Sequence, residues 1–210
     1  MPRSDRPIFP FGGMPGHATA QRRRIAIDEL FIVPFEGMPV RIAQALAEDL
    51  AGRGVAAVRV DAPVPVPREA YAPTRGQHRA EPLLALLSGH GARHVLGITH
   101  RDLFSADLNF VFGIASRSGA CVVSTARLLF GANDELFRAR LLKEAVHELG
   151  HTLGLDHCPD PRCVMHFSNS LADTDIKGNA YCDRCVARLE ARRRPPSAGS
   201  ARNPRPGRKA

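Results

Sequence analysis

The stretch from His147 to His157, with the sequence HELGHTLGLDH, constrains this chain of 210 residues more tightly than any other feature. Positions i and i+4 lie one above the other on an α-helix, so His147 and His151 can present two imidazoles to one metal ion. Glu148 comes from the neighbouring column of the helix, where its carboxylate can reach a water molecule on that metal. Gly154 tolerates the left-handed dihedrals that end a helix in a sharp turn, which would bring in His157 as a third ligand. Three imidazoles with an open fourth position are typical of a catalytic zinc; the alternative is a surface helix whose histidines bind nothing.

Four of the five cysteines follow this stretch, and their spacing indicates a second metal site. They are Cys158, Cys163, Cys182 and Cys185. Two cysteine pairs separated by a loop can supply four thiolates to a tetrahedral zinc, whose binding would complete the folding of a segment too polar to form its own core. Two disulfides are the alternative, which a reducing compartment disfavours. The separate Cys121 is interpreted as an inert core thiol.

The combined pattern resembles the archaemetzincins, which are metzincin-like zinc peptidases. The histidine motif alone resembles the metzincin signature. Cys158 directly after His157, Met165 eight residues later and the pair Cys182 and Cys185 narrow the resemblance to the archaemetzincins. It spans roughly residues 25–188, with further short agreements at Arg75–Gln77, Asn109–Gly113 and Ser168–Leu171.

This resemblance implies two Zn²⁺ ions per chain, one catalytic and one structural, and hydrolysis of peptide bonds in a peptide or protein substrate. Glu148 would act as general base and then as general acid. Met165 would form an apolar floor beneath the histidines, with an ordinary buried methionine as the alternative. A sheet edge around Asn109 to Gly113 would hold an extended peptide by backbone hydrogen bonds.

The resemblance suggests aminopeptidase-like activity, but the residues leave endopeptidase activity equally open. An aminopeptidase needs carboxylates for the free α-amine, and Asp156, Asp173 and Asp175 are close enough in sequence; a solvated acidic loop is the alternative. Tyr181 is interpreted as packing over the cysteine site; the alternative is that it stabilises the oxyanion or ligates the catalytic zinc weakly. His166 is interpreted as an exposed loop residue.

Hydrophobic periodicity predicts an α/β fold with a β-α-β start, which favours parallel pairing. With the resemblance, this gives a metzincin-like zincin fold with a mixed, mostly parallel five-stranded sheet, an active-site helix and a small zinc-stabilised C-terminal subdomain at 158–185. Strands are predicted over 25–34, 55–60, 94–99, 108–114 and 121–125. Helices are predicted over 39–51, 79–87, 133–153 and 186–191, and the proline-rich segment 61–75 is predicted to be a loop.

The formal net charge of +8 is concentrated at the two ends of the chain. Residues 1–24 carry +4 and residues 191–210 carry +7, which leaves −3 for residues 25–190. The ends are rich in Pro, Gly, Ser and Arg and are predicted to be disordered tails flanking one peptidase domain at 25–190. A basic tail can hold RNA or an acidic partner weakly, but a solubilising role is simpler, and no specific nucleic-acid binding is expected.

No apolar run approaches the ~20 residues of a membrane span, and no apolar signal segment of ~7–15 residues follows the N-terminal charges. The sequence therefore predicts a soluble cytoplasmic protein. It leaves the oligomeric state open.

Two other functions compete with peptide hydrolysis. In a non-catalytic zinc-binding module, the cysteine site and the basic tails would bind protein or nucleic acid; Glu148 argues against this, since a structural site needs no base. Alternatively, the zinc would act on a non-peptide amide or ester.

Overall fold

The computed structural model describes residues 25–193, apart from Ala26 and Asp107. The tails predicted at 1–24 and 191–210 therefore lie outside the described residues, except for 191–193. Five α-helices are described: α1 (Val40–Gly52), α2 (Ala80–Ser88), α3 (Asp134–Thr152), α4 (Leu171–Ile176) and α5 (Asp183–Arg193). None of the described helices combines the length and the apolar character needed to cross a membrane.

The main sheet has five strands in the order β2-β1-β5-β8-β7, with parallel pairs except for antiparallel β7 at one edge. This confirms the predicted mixed, mostly parallel sheet. The strands are β1 (Glu29–Pro34), β2 (Ala57–Val60), β5 (Val95–Thr99), β7 (Gly113–Ala115) and β8 (Ala120–Ser124). A smaller sheet has the order β3-β4-β6, formed by β3 (Tyr71–Ala72), β4 (Gln77–Arg79) and β6 (Leu103–Phe104).

The main sheet is covered on both faces, which explains the continuous apolar runs of its central strands. All five residues of β5 and all five of β8 are buried. Alternate residues of β8 belong to different clusters: Cys121 and Val123 pack with α1 and α3, whereas Ala120 and Val122 pack with α2. The site-bearing helix α3 thus lies on one face of the sheet, against β8 and the edge strand β7.

Helix α3 begins and ends where its sequence dictates. Asn133 caps it by accepting a hydrogen bond from the Leu136 amide at 2.8 Å, and Asp134 and Glu135 place negative charge in the first turn, near the positive end of the helix dipole. At the other end Gly154 has φ +89°, which reverses the chain. The helix therefore holds the two histidines of its last two turns in a defined position.

Several sequence predictions of secondary structure are wrong. The predicted strand 108–114 forms only at Gly113–Ala115, because the preceding residues cross to the small sheet through an isolated bridge between Leu103 and Val111. The predicted loop 61–75 contains β3 and a 3₁₀ turn at Arg68–Ala70, and β6 and α4 were not predicted. On α1, Ala43, Leu46 and Leu50 are buried, whereas Val40 in the first turn is 40% exposed although it continues the same apolar spacing.

Candidate metal centres

The structure brings the three histidines of the motif together at the end of α3. The Nε2 atoms of His147 and His151 are 3.1 Å apart. The turn at Gly154 returns the chain so that the His157 ring lies 5.3 Å from the His147 ring and 4.8 Å from the His151 ring, between centroids. One nitrogen from each histidine lies within 4.8 Å of the others. Zinc–nitrogen bonds of about 2.0–2.1 Å in a tetrahedron require nitrogens about 3.3 Å apart, so small movements suffice to fit the ion.

Backbone carbonyls fix the orientation of the two helical histidines. His147 Nδ1 donates to the carbonyl of Val164 at 2.7 Å, and His151 Nδ1 donates to that of Leu155 at 2.8 Å. A carbonyl can only accept, so both Nδ1 atoms carry the proton and the Nε2 lone pairs remain for a metal. Burial lowers the pKa of both rings, that of His147 most strongly, and this keeps them neutral. No sequence pattern indicates these two carbonyls, because their positions follow from the turn at Gly154 and the loop after it.

Glu148 lies beside the histidines in the same cleft. The cleft has a volume of about 530 Å³ and lies between α3 and the edge strand β7. A Cβ at Gly113 would lie 2.8 Å from Glu148 Oε1, so only glycine in β7 lets the carboxylate lie this close to the sheet edge. Burial, with a smaller contribution from the Glu144 charge, raises the pKa of Glu148 to about 8, and Lys177 opposes the shift. A divalent cation held by the histidines would oppose it as well.

The four cysteines of the second motif form a separate cluster. Their sulfurs all lie within 4.8 Å of one another, with 3.7 Å between Cys158 and Cys182 and 3.8 Å between Cys163 and Cys185. All four are free thiols, so the alternative of two disulfides is not what the structure has. Zinc–sulfur bonds of about 2.3 Å in a tetrahedron place sulfurs about 3.8 Å apart, whereas a disulfide needs about 2.05 Å. The donor set and its spacing fit zinc.

Two donors point at two of these sulfurs, those of Cys158 and Cys163, whereas burial raises the pKa of the Cys163 and Cys185 thiols. Arg184 Nη2 donates to Cys158 Sγ at 3.2 Å, and the Cys182 amide donates to Cys163 Sγ at 3.4 Å. Burial alone would raise the pKa of Cys158, but hydrogen bonds from the Asp160 backbone and from Arg184 outweigh it and lower that pKa to about 7. Arg184, inside the Cys-x-x-Cys pair, is a contributor that the sequence reasoning missed.

The loop at 158–165 supplies two of the cysteines and also contacts the histidine cluster. Cys158 follows His157 directly, and its amide donates to the Met165 carbonyl at 2.8 Å. Met165 is fully buried and packs beneath α3, where a Cβ at Gly150 would collide with its sulfur. Val164 lies between Cys163 and Met165 and supplies the carbonyl that holds His147.

The other candidate residues lie away from the reacting position or are engaged. Tyr181 is 1% exposed and donates to the Val146 carbonyl, so it packs under α3 and does not line the cleft. Asp173 caps α4, and Asp175 pairs with Arg140, whereas Asp156 lines the cleft. His166 is half-buried, and its Nδ1 forms a hydrogen bond with the Cys158 carbonyl. Cys121 is fully buried.

A buried ion pair behind the histidines was also missed. Lys177, with a fully buried side chain, pairs with Glu144 at 2.9 Å, and Thr174 donates to the same carboxylate oxygen at 2.9 Å. Glu144 is one helical turn before Glu148. No sequence pattern connects Lys177 with α3, because the contact joins residues far apart in the chain.

Known proteins are similar to this chain over the region that contains both clusters. The family model described as peptidase family M54 matches residues 85–191. The archaemetzincin of Pyrococcus furiosus is 40% identical over 181 residues, covering 79% of this chain and 94% of that protein. The crystal structure of archaemetzincin from Methanopyrus kandleri superposes with a TM-score of 0.71 at 41% identity, covering 79% of this chain and 94% of that one. The structure from Archaeoglobus fulgidus, complexed with malonate, gives a TM-score of 0.70 at 38% identity, covering 76% and 98%.

Proposed function

Because the chain belongs to peptidase family M54, the archaemetzincins, and is a zinc metallopeptidase, we propose that it cleaves peptide bonds in the cleft between α3 and β7. His147, His151 and His157 would hold the catalytic zinc. Bound there, zinc supplies Lewis-acid activation of a water molecule and of the scissile carbonyl. The observation that carries this proposal is the pair of Nδ1–H bonds to backbone carbonyls, which leaves both Nε2 lone pairs directed to one point.

Glu148 would move the protons of the reaction. Its carboxylate is the acidic group next to the histidines on the helix, 5% exposed and lining the cleft. As general base it takes a proton from the attacking water, and as general acid it returns that proton to the leaving amine. The proximity of its carboxylate to Gly113 supports a proton transfer at the edge of the sheet, where a substrate would lie.

The substrate would bind as an extended strand along β7. This strand is the edge of the main sheet and lines the cleft through Gly113, Ile114 and Ala115. In the part of the chain that the structure describes, it pairs with β8 alone. Backbone groups on the open side of an edge strand can bind a peptide in any sequence context, while side-chain pockets select residues. The predicted peptide-binding edge at Asn109 to Gly113 is thereby moved to Gly113–Ala115.

A requirement for a free α-amine on the substrate would depend on Asp156. Of the three carboxylates considered from sequence, it lines the cleft, and its pair with Arg117 is exposed on both sides, at 71% and 69%. Such an exposed pair is weak and leaves the carboxylate open to another cation. Aminopeptidase-like activity predicts cleavage of peptides with a free N-terminus and loss of cleavage on N-acetylation; equal cleavage of both would assign an endopeptidase.

The second zinc would be structural and held by the four cysteines. Four thiolates close the coordination sphere and leave no position for substrate. We therefore propose two zinc ions per chain with different exposure: the cysteine centre is mostly buried, whereas His157 at the histidine centre is exposed.

Replacing Glu148 tests the function directly. In Glu148→Gln the shape of the side chain is kept and the base is lost, so we expect two zinc ions per chain and a fall in kcat of about 10²- to 10⁴-fold. Glu135→Gln, an exposed glutamate in the first turn of the same helix, is the control and should keep wild-type kcat. Zinc content by mass spectrometry and hydrolysis of a mixed peptide library measure both. Full activity in Glu148→Gln would refute the base, and a wild-type protein that binds two zinc ions and cleaves no peptide would favour the non-catalytic module.

A further inference from the structure

The outer wall of the cleft is a segment with little regular structure of its own. Residues 103–112, of which Asp107 is not among the described residues, begin with the two-residue strand β6, and the others follow an irregular path to β7. Several members of this segment line the cleft, namely Ser105, Leu108, Asn109, Phe110, Val111 and Phe112. A wall that binds substrate needs a defined position. The described backbone ties of this segment to the sheets are the bridge between Leu103 and Val111 and the Ser124 amide, which donates to the Phe112 carbonyl at 2.8 Å, so residues 108–110 lie outside both sheets.

Four polar side chains from three other places in the fold converge behind this wall. Asp102 is their centre: Arg127 donates to both of its carboxylate oxygens at 2.8 Å, and Gln77 donates to one of them at 2.9 Å. Arg75 donates to the Gln77 carbonyl oxygen at 3.0 Å and so joins the same network. Gln77 is 8% exposed, and both ends of its amide are satisfied. We call Arg75, Gln77, Asp102 and Arg127 the clamp.

The clamp holds the wall at two points. Arg75 Nη2 and Gln77 Nε2 both donate to the Asn109 backbone carbonyl at 3.0 Å. The Arg127 guanidinium lies over the Phe110 ring at 4.2 Å from its centroid, and Phe110 in turn meets the edge of Phe112 at 5.2 Å between centroids. The clamp therefore fixes one backbone group and one aromatic side chain of the wall, and none of its four members lines the cleft.

The charge state of the clamp suits this task. Burial alone would raise the pKa of Asp102, but hydrogen bonds from Arg127 and Gln77 and the two nearby guanidinium charges outweigh it, so its pKa lies below the usual value. Bidentate pairing of a planar guanidinium with a carboxylate also fixes the relative orientation of the two groups. The pair is thus ionised and directional at neutral pH.

We propose that the clamp positions the substrate-binding wall at residues 108–112 and so sets the affinity of the enzyme for peptide without taking part in the chemical step. This inference rests on the proposed peptidase function. The four residues are positioning residues, because each acts on the substrate through Asn109 or Phe110. It also gives a role to the Arg75–Gln77 segment, whose resemblance to the family had no structural explanation in the sequence.

Arg127→Met tests the proposal, because it removes the charge and all three contacts of the guanidinium while keeping an unbranched side chain. Arg138→Met is the matched control: Arg138 also binds an aspartate through two hydrogen bonds, to Asp49 at 2.7 and 2.9 Å, but joins α1 to α3 away from the cleft. We expect Arg127→Met to raise KM about five- to tenfold with kcat within about twofold of wild type, and Arg138→Met to change neither. Arg127→Lys keeps the charge but not the two-pronged geometry and should recover only part of the loss.

A second measurement separates this inference from the proposed function. In zinc-loaded Glu148→Gln protein, a fluorescent peptide should bind with Kd raised by the same factor when Arg127→Met is added, and amide exchange should accelerate at 103–112 but not in β5 or β8. Unchanged Kd and unchanged exchange would overturn the clamp even if the wild type is a peptidase. A wild type that cleaves nothing would refute the proposed function alone, provided the change in Kd is observed. A fall in kcat with KM unchanged, or equal effects of Arg127→Met and Arg138→Met, would also overturn the proposal.

Discussion

The two clusters are adjacent in sequence but are built on different kinds of support. His147 and His151 extend from a 19-residue helix that is capped at its start and packed against the sheet. Cys158 and Cys163 lie on an irregular loop, and Cys182 and Cys185 lie at the start of α5. The histidines of α3 are therefore positioned by the fold. The cysteine cluster has long irregular segments around it, and under the proposed function these would depend on the bound zinc for their position.

The two clusters also differ in their exposure: the cysteine cluster is mostly buried, whereas the histidine cluster opens into the cleft. Around the cysteines, sulfurs receive hydrogen bonds from Arg184 and a backbone amide, and three of the four residues are buried. Around the histidines, carbonyls fix the rings from behind while the front opens into the cleft. A closed set of thiolates retains its metal, and an open set of imidazoles exchanges it more readily.

Because of the loop at 158–165, we expect the histidine centre to depend on the cysteine centre and not the reverse. The Val164 carbonyl that orients His147 belongs to the loop between Cys163 and Met165, and His157 is bonded to Cys158. Displacing the cysteine centre should therefore disturb two of the three histidines. Losing the histidine zinc should leave the cysteine centre intact, because nothing in that cluster is held by a histidine side chain other than His166 on the Cys158 carbonyl.

The largest expected effect comes from Cys163→Ser. It removes one sulfur of the closed set, and structural zinc contributes about 10–16 kcal/mol to folding in zinc-finger peptides, so we expect the free energy of unfolding to fall by about 5 kcal/mol or more. Both zinc ions and all peptidase activity should be lost. Zinc content, chemical denaturation and peptide hydrolysis on the same preparation measure this.

His151→Ala is the counterpart that can break the comparison. It should lose the histidine zinc and activity but retain one zinc and most of its resistance to denaturation. If Cys163→Ser kept a full histidine centre with activity, or if His151→Ala unfolded as readily as Cys163→Ser, the one-way dependence would be wrong.

The next largest effect concerns the buried ion pair that joins the segment before Cys182 to α3. Lys177 lies between α4 and Cys182 and pairs with Glu144 on α3, with side-chain exposures of 0% and 3%. Lys177→Met leaves the Glu144 carboxylate buried without its cation, which typically reduces stability by about 3–5 kcal/mol. We expect this loss in chemical denaturation, with two zinc ions still bound to the folded protein.

The double variant Glu144→Gln with Lys177→Met checks the cause. It removes both charges, so much of the lost stability should return. A double variant as unstable as Lys177→Met alone would mean that packing of the lysine stem, rather than the charge pair, joins the loop to α3.

The helix and its histidines could be predicted from sequence because every spacing involved is local. Each spacing is about one helical turn or less: four residues from His147 to His151, three from there to Gly154, and three more to His157. The buried runs of β5 and β8 are equally local signals, since strands covered on both faces are continuously apolar.

The contacts that support these elements could not be predicted in the same way. Strands of two or three residues, as in the small sheet, are too short for an alternating pattern to be recognised. The apolar residues around Phe110 and Phe112 predict a strand, but donors from Arg75, in the turn before β4, and from Gln77, in β4, hold that backbone instead. Helix α4 is a different case, because its capping box of Ser170 and Asp173 is a local pattern that the sequence itself contains.

The smallest expected effect sharpens the claim that α3 is preformed. Asn133→Ala removes the side chain that caps α3, and loss of such a cap typically reduces stability by about 1 kcal/mol. The cap is more than three helical turns from His147, and fraying confined to the first turn leaves the last two turns unchanged. We therefore expect a lower free energy of unfolding with unaltered zinc content, chelation rate and KM. If Asn133→Ala instead released the histidine zinc faster, the helix would be organised from its metal end, and the contrast between a preformed histidine site and a metal-dependent cysteine loop would disappear.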